Sequence, residues 1–313
     1  MIHARGLTRV FKVKKETVDA VRGIDLDVEP GRLVAFLGPN GAGKSTTLRM
    51  LTTLLPPTSG TATVAGHDVA KDPAAVRARI GYVGQRNSAG EEFLVRDELV
   101  TQGRCYGLRH KEAGVRADEL LEVLDLKPLA KRVPGTLSGG QRRRLDIALG
   151  LIHRPDLLFL DEPSTGLDPK SRAEIWQHIL RLRETYGTTL FLTTHYLEEA
   201  DNMAERVVII DGGKIIADGT AEQLKNDLAG DHITVTTSTG QEAEQAARIG
   251  DGTAEGTTVR LRVAKATAAL PDYLRALDAA GIKVVTAETI RPTLDDVFLT
   301  LTGRSLTDDD IPA

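Results

Sequence analysis

Apolar and polar residues alternate along the start of the chain and predict strands there. Residues 2–10 and 18–28 alternate in this way, with a charged turn at Lys12–Glu16 between them. Three later segments are almost continuously apolar, as strands are when a parallel sheet buries both of their faces. These segments are Arg32–Leu37, Leu157–Leu160 and Thr188–Thr193. The pattern therefore predicts an α/β fold with a parallel core sheet and antiparallel strands added at the N-terminal end.

Helical spacing fills the intervals between these strands. Apolar residues recur on one face after Lys44 and predict a helix that Pro56 stops. They are Leu48, Met50, Leu51, Leu54 and Leu55. A mostly helical subdomain is predicted at about residues 90–150. Further helices are predicted over Ala173–Tyr186 and Glu198–Arg206, and a hairpin over Val207–Ile210 and Lys214–Ala217.

The pattern changes after Leu224 and predicts a second, smaller domain. Strand-like segments alternate there with helical ones, which indicates a compact α+β unit. The strands are predicted at 232–237, 257–263 and 282–287, and the helices at 241–248, 269–279 and 293–301. The predicted domains are therefore residues 1–225 and 226–304, followed by a tail at 305–313.

Composition narrows the class of protein. Of the 313 residues, 41% are hydrophobic and 27% are charged, which excludes disorder, collagen or a coiled coil for the whole chain. The formal charge of −4 gives no global basic field, so nucleic acid is not an expected partner. The single cysteine, Cys105, cannot form an intrachain disulfide. No apolar run approaches about 18 residues and the N-terminus does not resemble a secretory signal, so we expect another chain to cross any membrane involved.

A glycine-rich loop lies between the apolar strand at 32–37 and the helix that follows it. Its sequence fits G-x-x-x-x-G-K-[ST], in which glycines let the backbone wrap a phosphate chain and the N–H groups bind the anion. Lys44 can reach the β- and γ-phosphates, and Ser45 supplies a hydroxyl for Mg²⁺. The alternative is a turn that binds nothing, but the strand–loop–helix context favours a nucleotide site. The predicted binding residues are Gly38, Pro39, Asn40, Gly41, Ala42, Gly43, Lys44, Ser45 and Thr46.

Two adjacent carboxylates follow the apolar strand Leu157–Leu160. Asp161 is placed to hold Mg²⁺ through water opposite Ser45, and Glu162 is placed to polarise an attacking water or accept its proton. Adjacent acids at a strand end are commonplace and are usually only solvated. After a phosphate-binding loop, however, the pair predicts a catalytic site.

The segment Leu137–Gln141, with the sequence LSGGQ, decides the class. Together with residues 38–46 and 157–162, it closely resembles the nucleotide-binding subunits of ABC transporters. The resemblance covers about residues 1–225 and includes the expected motifs in the expected order. Alone, the segment could be a simple helix cap, because Ser138 is a good N-cap residue. The resemblance implies an ABC-type P-loop ATPase cassette that hydrolyses ATP.

The resemblance also implies roles for four isolated residues. Gln85 matches the glutamine that contacts Mg²⁺ and couples to the membrane partner, and His195 matches the switch histidine. Asp168 matches the D-loop aspartate. Phe11 lies where the family places an aromatic residue against adenine, although tyrosine is usual there. Taken singly, His195 could be a satisfied polar core residue and Phe11 an ordinary core residue.

Ser138, Gly139 and Gly140 have the chemistry of a second anion hole, namely a capping serine, two glycines and the start of a helix. In the family that the chain resembles, this hole, with the equivalent of Gln141, closes on the γ-phosphate of ATP held by the opposite subunit. The resemblance therefore implies a homodimer that holds two ATP molecules, each with Mg²⁺, head to tail. Hydrolysis by Glu162 would then release the dimer.

The C-terminal unit narrows the type of ABC protein. Residues 291–304 look like the tail of daunorubicin-resistance-type ATPase subunits of drug exporters. The resemblance implies a polytopic membrane permease as partner and a position on the cytoplasmic face of the cell membrane, reached only through that permease. Lipid or polysaccharide export is an alternative, and an importer or a soluble ABC ATPase fits less well. The tail helix should pack the small domain with Leu294, Val297, Phe298 and Leu301.

Overall fold

The computed structural model describes residues 1–13 and 16–304, and the chain divides into two compact units, the second of which begins at Gly219. This boundary lies before the seam predicted after residue 225. The reason is that Thr220 caps a short helix, Ala221–Leu224, whose Leu224 is buried and which packs on the last helix, Leu294–Thr302. Part of the predicted charged turn at 12–16 and the predicted tail at 305–313 lie outside the described residues.

The first unit alternates strands with helices after an N-terminal pair of strands. Its strands are β1 (Ile2–Val13), β2 (Glu16–Val28), β3 (Leu33–Leu37), β4 (Ser59–Val64), β5 (His67–Asp68), β6 (Ile80–Val83), β7 (Leu157–Asp161), β8 (Thr189–Thr194), β9 (Arg206–Asp211) and β10 (Lys214–Gly219). Its helices are α1 (Lys44–Leu51), α2 (Pro73–Arg79), α3 (Val95–Cys105), α4 (His110–Val123), α5 (Gly139–Leu151), α6 (Pro169–Tyr186) and α7 (Leu197–Met203).

The antiparallel sheet has the strand order β2-β1-β4-β5. The antiparallel N-terminal strands predicted from the alternation are confirmed, but the segment from β4 to β6 carried no clear signal in the sequence. β4 has the sequence SGTATV and buries only Ala62 and Val64, so its apolar face is too small to stand out. β5 and α2 are likewise too short to show a period.

The core sheet has the order β10-β9-β3-β8-β7-β6, and β9, β3, β8, β7 and β6 run parallel. Every residue of β3, β7 and β8 is buried, as their continuous apolar sequences predicted. Because the strands are parallel, the segments that follow β3, β8, β7 and β6 meet at one edge of the sheet. That edge therefore gathers the phosphate loop, His195, the pair of carboxylates and Gln85.

One hydrophobic cluster joins both sheets of the first unit across α1. Leu7 of β1, Leu48 of α1, and Phe36 and Phe159 of the core sheet are all fully buried in it. The Phe191 ring lies 5.6 Å from both Phe36 and Phe159, centroid to centroid. The strand and the helix that flank the phosphate loop are thus both fixed by packing.

Helices α1 and α6 differ most from the sequence-based predictions. α1 ends before Leu54, because Thr53 adopts a left-handed φ of 64° and Leu54 is left 56% exposed. α6 begins at Pro169 instead of Ala173, because the Asp168 carboxylate accepts the Ser171 N–H and caps it. Among the residues that the structure describes, no helix is both long and apolar enough to cross a bilayer.

The second unit packs helices on a separate antiparallel sheet. Its strands are β11 (Asp231–Thr237), β12 (Thr253–Glu255), β13 (Thr258–Val263) and β14 (Val284–Ile290), in the order β12-β13-β11-β14. Its helices are α8 (Ala221–Leu224), α9 (Gly240–Gly250), α10 (Ala266–Ala279) and α11 (Leu294–Thr302). In α11, Leu294, Val297 and Phe298 are buried as predicted, whereas Leu301 is 36% exposed and was wrongly assigned to the packed face.

Candidate nucleotide-binding and hydrolysis site

The loop between β3 and α1 adopts a shape that two of its glycines make possible. Gly43 has φ of 105°, and a Cβ there would lie 2.5 Å from the Ala20 carbonyl oxygen. A Cβ on Gly38 would lie 2.2 Å from the Ile210 carbonyl oxygen. Any side chain at either position would therefore displace backbone. The loop curves around a cleft of about 340 Å³, large enough for a phosphate chain.

Lys44 is held inside this loop. It is 4% exposed, and its Nζ donates to the carbonyl oxygens of Gly38 at 2.7 Å and Pro39 at 3.1 Å. The same nitrogen lies 3.4 Å from Oε1 of Glu162. The ammonium group thus stands between the phosphate loop and the predicted catalytic carboxylate, where a long flexible stem lets it exchange carbonyl partners for phosphate oxygens.

The two carboxylate oxygens of Asp161 differ in their hydrogen bonds. Its Oδ1 accepts from Ser45 Oγ at 3.0 Å and from Thr193 Oγ1 at 2.7 Å. Its Oδ2 is buried and has no hydrogen-bond partner among the described residues. Gln85 completes the group by donating from Nε2 to Ser45 Oγ at 3.3 Å. A hard cation prefers such oxygen donors, so the arrangement fits Mg²⁺.

These oxygens do not amount to a metal cage of the protein's own. The described residues contain no group of three or more His, Cys, Asp or Glu side chains that could hold an ion. Mg²⁺ bound through one carboxylate usually takes its remaining ligands from water and substrate phosphates. The donor set of Ser45, Gln85 and Asp161 is therefore suited to an ion that arrives with a nucleotide.

Glu162 is held in an unusual backbone conformation. Its φ is 47°, in the left-handed region, and its N–H lies 2.9 Å from Thr193 Oγ1 and 3.2 Å from the Thr193 carbonyl oxygen. Burial raises the pKa of the carboxyl, but the interaction with His195 and the charge of Lys44 outweigh it, so the pKa lies below its usual value. Glu162 is thus an anion at neutral pH, as a group that polarises water must be.

His195 lies beside this carboxylate at the end of β8. Its Nδ1 is 3.5 Å from Oε2 of Glu162, and its side chain is 10% exposed. On the same carboxylate, Thr165 Oγ1 donates to Oε2 at 3.2 Å. Both contacts restrict the direction in which Glu162 faces. The switch histidine predicted from the sequence is therefore in contact with the predicted catalytic residue.

The cleft gathers most of the predicted phosphate-binding residues. It is lined by Ala20, Pro39, Asn40, Gly41, Gly43, Lys44, Ser45, Thr46, Gln85 and Glu162. Phe11 does not line it. Phe11 pairs with Val18 across β1 and β2, and the Arg9 guanidinium lies 4.7 Å from the centre of its ring. Ala20, which the sequence did not single out, reaches the cleft instead.

The segment Ser138–Gln141 also lies outside the cleft. Ser138 caps α5 through a reciprocal pair of bonds with Gln141, which join Gln141 N to Ser138 Oγ at 3.3 Å and Ser138 N to Gln141 Oε1 at 3.0 Å. Ser138 and Gly139 are exposed, and Gly140 abuts Ser171 on α6. Asp168 caps that same helix. The second predicted anion hole is therefore separate from the first within one chain.

Sequence reasoning missed Thr193, which binds the Asp161 carboxylate and the backbone N–H of Glu162, and Arg143, which binds the backbone beside them. Arg143 Nη2 donates to the carbonyl oxygens of Asp161 at 3.1 Å and Glu162 at 3.3 Å. Thr193 could have been suspected, because it comes two residues before His195 at the end of a buried strand. Arg143 carried no signal, since it is one of three consecutive arginines.

Comparison with known proteins shows which family the chain belongs to. The model of the ABC transporter family matches residues 21–165, and that of the DrrA1-3-like ATP-binding protein C-terminal domain matches residues 219–302. The daunorubicin resistance ATP-binding protein DrrA3 of Streptomyces coeruleorubidus is 47% identical over 91% of this chain and 91% of its own. The chain belongs to the ABC transporter family. The predicted resemblance to daunorubicin-resistance-type subunits is thereby confirmed.

Other members of the ABC transporter family match over comparable lengths. The daunorubicin/doxorubicin resistance ATP-binding protein DrrA of Streptomyces peucetius is 42% identical over 98% of this chain and 94% of its own. The Nod factor export ATP-binding protein I of Cupriavidus metallidurans is 38% identical over 92% of this chain and 94% of its own.

Two solved structures of ABC cassettes share the fold. One is the ATP-binding cassette MJ0796, in a dimeric post-hydrolysis state bound to ADP and Pi. It matches this chain with a TM-score of 0.65 and 26% identity, and the match covers 70% of this chain and 98% of that one. The protein cbiO1 of Clostridium perfringens, part of the ABC transporter complex cbiONQ, matches with a TM-score of 0.64 and 27% identity, over 70% and 88%. This ABC protein is an ATP-hydrolysing subunit of a transporter.

Proposed function

We propose that this chain powers the export of a drug or antibiotic as a homodimer bound to a polytopic membrane permease. The dimer would sit on the cytoplasmic face of the cell membrane and reach the membrane only through the permease. The names of the resistance proteins to which the chain is similar along both units support the class of cargo. The solved MJ0796 dimer and the cbiONQ complex, named for related cassettes, support dimerisation and a transporter complex.

The observation that best supports a dimer is the separation of the two predicted anion holes within one chain. One lies at the phosphate cleft and the other at Ser138, which is exposed and does not line that cleft. A helix N-terminus with a capping serine and two glycines is suited to an anion, but among the described residues it does not border the phosphate cleft of its own chain. A second copy of the chain, turned head to tail, would bring Ser138 to each cleft and complete two sites.

Within one such site, the backbone N–H groups of residues 38–46 would bind the phosphates of ATP. Lys44 would exchange the carbonyl oxygens of Gly38 and Pro39 for phosphate oxygens. Ser45, Gln85 and Asp161 are the residues that would hold Mg²⁺, which supplies charge neutralisation on the phosphates when bound. Glu162 would polarise the attacking water, while His195 and Thr165 keep its carboxylate in place. Asp168 would support α6 at the facing surface.

Export of a lipid or polysaccharide is a second candidate. The relative from Cupriavidus metallidurans, named for Nod factor export, favours it, but its identity of 38% to this chain is lower than the 47% of the daunorubicin resistance protein from Streptomyces coeruleorubidus. The cargo does not touch the ATPase subunit in either case, so the subunit itself would have the same site. We still propose Phe11 as the residue that stacks on adenine, and this proposal is supported by its aromatic face alone.

Reconstitution with the native membrane partner tests the proposal. The polytopic protein that co-purifies from native membranes would be placed in vesicles together with this chain, ATP and Mg²⁺. We expect transport of an anthracycline with the wild-type chain and none with Glu162→Gln, while Glu198→Gln, an exposed glutamate nearby, serves as the matched control. Transport of lipid-linked glycans without drug would favour the second candidate. Co-purification of a solute-binding protein would contradict export.

A further inference from the structure

The buried face of α5 carries two ionisable side chains that the proposed reaction does not use. Arg143 is 5% exposed and Asp146 is 1% exposed. They lie three positions apart and therefore on one face of the helix. The helix begins at Ser138, so both side chains belong to the rigid element whose N-terminus is the second anion hole.

Arg143 binds the backbone on both sides of the catalytic edge. Its guanidinium is planar and presents donors in a fixed fork, so that one group can join several acceptors. Nε donates to Pro163 O at 2.7 Å, Nη1 to Gly84 O at 2.6 Å, and Nη2 to Asp161 O at 3.1 Å and Glu162 O at 3.3 Å. The last of these bonds holds a peptide group of Glu162, the residue whose φ is 47°.

Asp146 fixes the other end of the loop that carries Gln85. Its Oδ1 accepts from Ser88 N at 2.9 Å, from Ser88 Oγ at 2.9 Å and from Ala89 N at 3.2 Å. Gln85 therefore lies between two points, Gly84 and Ser88, that are both tied to α5. Charge-assisted bonds of this kind are among the stronger ones in proteins.

We infer that Arg143 and Asp146 are positioning residues that make α5 a connection between the two sites of the dimer. The N-terminus of the helix would meet the ATP of the opposite chain, while Arg143 holds Gln85 and Glu162 of its own chain in place. Engagement of Ser138 on one nucleotide would thus set the catalytic groups around the other. The inference rests on the proposed head-to-tail dimer.

A dimer with one active cleft tests this connection. One chain, the blocked chain, carries Glu162→Gln and a separate tag, and the other, the live chain, keeps Glu162. Dimers purified through both tags would be assayed for ATPase rate and for ATP binding. Arg143→Lys keeps the charge but cannot join four carbonyl oxygens. Arg144→Lys is the matched control, because Arg144 binds Leu124 O and His178 away from the cleft.

We expect the result to depend on which chain carries Arg143→Lys. On the live chain it should lower the turnover of the active cleft by about 10²-fold, the cost of a small displacement of catalytic groups, with ATP binding unchanged. On the blocked chain it should leave turnover near that of the Arg144→Lys control. A loss confined to the blocked chain would overturn the inference, because Arg143 would then only support the Ser138 surface, and equal losses on both chains would overturn it because the effect would not depend on whose catalytic groups Arg143 holds. No loss on either chain would overturn it as well.

A second substitution tests the direction of the connection. On the live chain, Ser138→Arg disrupts contact with the nucleotide of the blocked chain. This substitution should lower ATP turnover in the live cleft. Adding Arg143→Lys should lower that turnover little further, because both changes break the same connection. Independent, additive losses would contradict the inference.

If Arg143→Lys prevents folding, Asp146→Asn takes its place. It should show the same dependence on which chain carries it, with a smaller loss of turnover, and equal losses on both chains would again refute the inference.

Failure of the proposed head-to-tail dimer would already be seen in the parent dimer, before Arg143 is substituted. If the dimer of blocked and live chains with Arg143 intact does not form, or does not hydrolyse one ATP per dimer in a single turnover, the proposed head-to-tail arrangement is wrong and the inference fails with it. An active parent dimer in which Arg143→Lys acts on both chains alike refutes only the inference.

Discussion

The two proposed anion-binding regions of this chain differ in how far one subunit completes them. At the phosphate cleft, Lys44 and Glu162 are nearly buried and already contact each other. At the start of α5, Ser138 is exposed, and its hydroxyl is occupied by the helix's own cap. The first region is assembled by the fold, whereas the second, in our proposal, is completed by a partner chain.

The difference follows from where each region lies in the sheet. The cleft is built at the ends of neighbouring parallel strands that are buried along their whole length, so its side chains are fixed by packing. Ser138 follows a turn, Pro134–Thr136, in the helical subdomain. In the proposed head-to-tail arrangement, one subunit supplies the phosphate cleft and a second copy finishes the site. Substitutions in the phosphate cleft and substitutions at the start of α5 should therefore have different effects.

The largest effect is expected at the catalytic carboxylate. Glu162→Gln should lower ATP turnover by about 10²–10⁴-fold, because a positioned general base is lost while the phosphate loop is intact. ATP binding should persist, and the variant should accumulate as an ATP-bound dimer on gel filtration with Mg²⁺. Turnover equal to that of the exposed-site control Glu198→Gln would show that Glu162 is not the catalytic base.

A smaller loss is expected when the cleft loses its cation. Lys44→Ala should weaken ATP binding by roughly 10- to 100-fold, since a hydrogen bond to a charged group is worth about 1.5–3 kcal/mol. Titration with a fluorescent ATP analogue measures this. Lys170→Ala, which removes an exposed lysine from α6, provides the control. Equal affinities for the two variants would disprove the assignment of Lys44.

The smallest effect is expected in the pH dependence of stability. Because the pKa of Glu162 is lowered on folding, its ionised form adds stability above its ordinary pKa of 4.5, and this contribution is lost as pH falls through the lower folded value. The difference in urea midpoint between wild type and Glu162→Gln should therefore be constant from pH 7 to about 5 and shrink below that. A difference that stays unchanged as the pH falls well below 4.5 would contradict the lowered pKa of Glu162.

The sequence predicted the cleft better than the elements around it. Gly38–Thr46, Asp161 and Glu162 could be assigned because phosphate chemistry imposes residue types at fixed spacing beside a buried strand. β4 and α2 could not be assigned, because short polar elements show no period. Arg143 and Thr193 were missed because their roles depend on contacts between strands and helices far apart in the chain. The start of α6 depended on the cap by Asp168, which the sequence had offered only as a D-loop residue.

The central claim is that each active site combines the cleft of one chain with Ser138 of another, and mixing two inactive variants tests it most directly. Lys44→Ala and Ser138→Arg homodimers should each have no useful ATPase activity. In a mixed dimer one site carries both lesions and the other carries none. Partial ATPase activity should therefore reappear on mixing and be greatest near equal amounts. If tagged mixed dimers form but activity stays at background at every ratio, the shared-site account is contradicted.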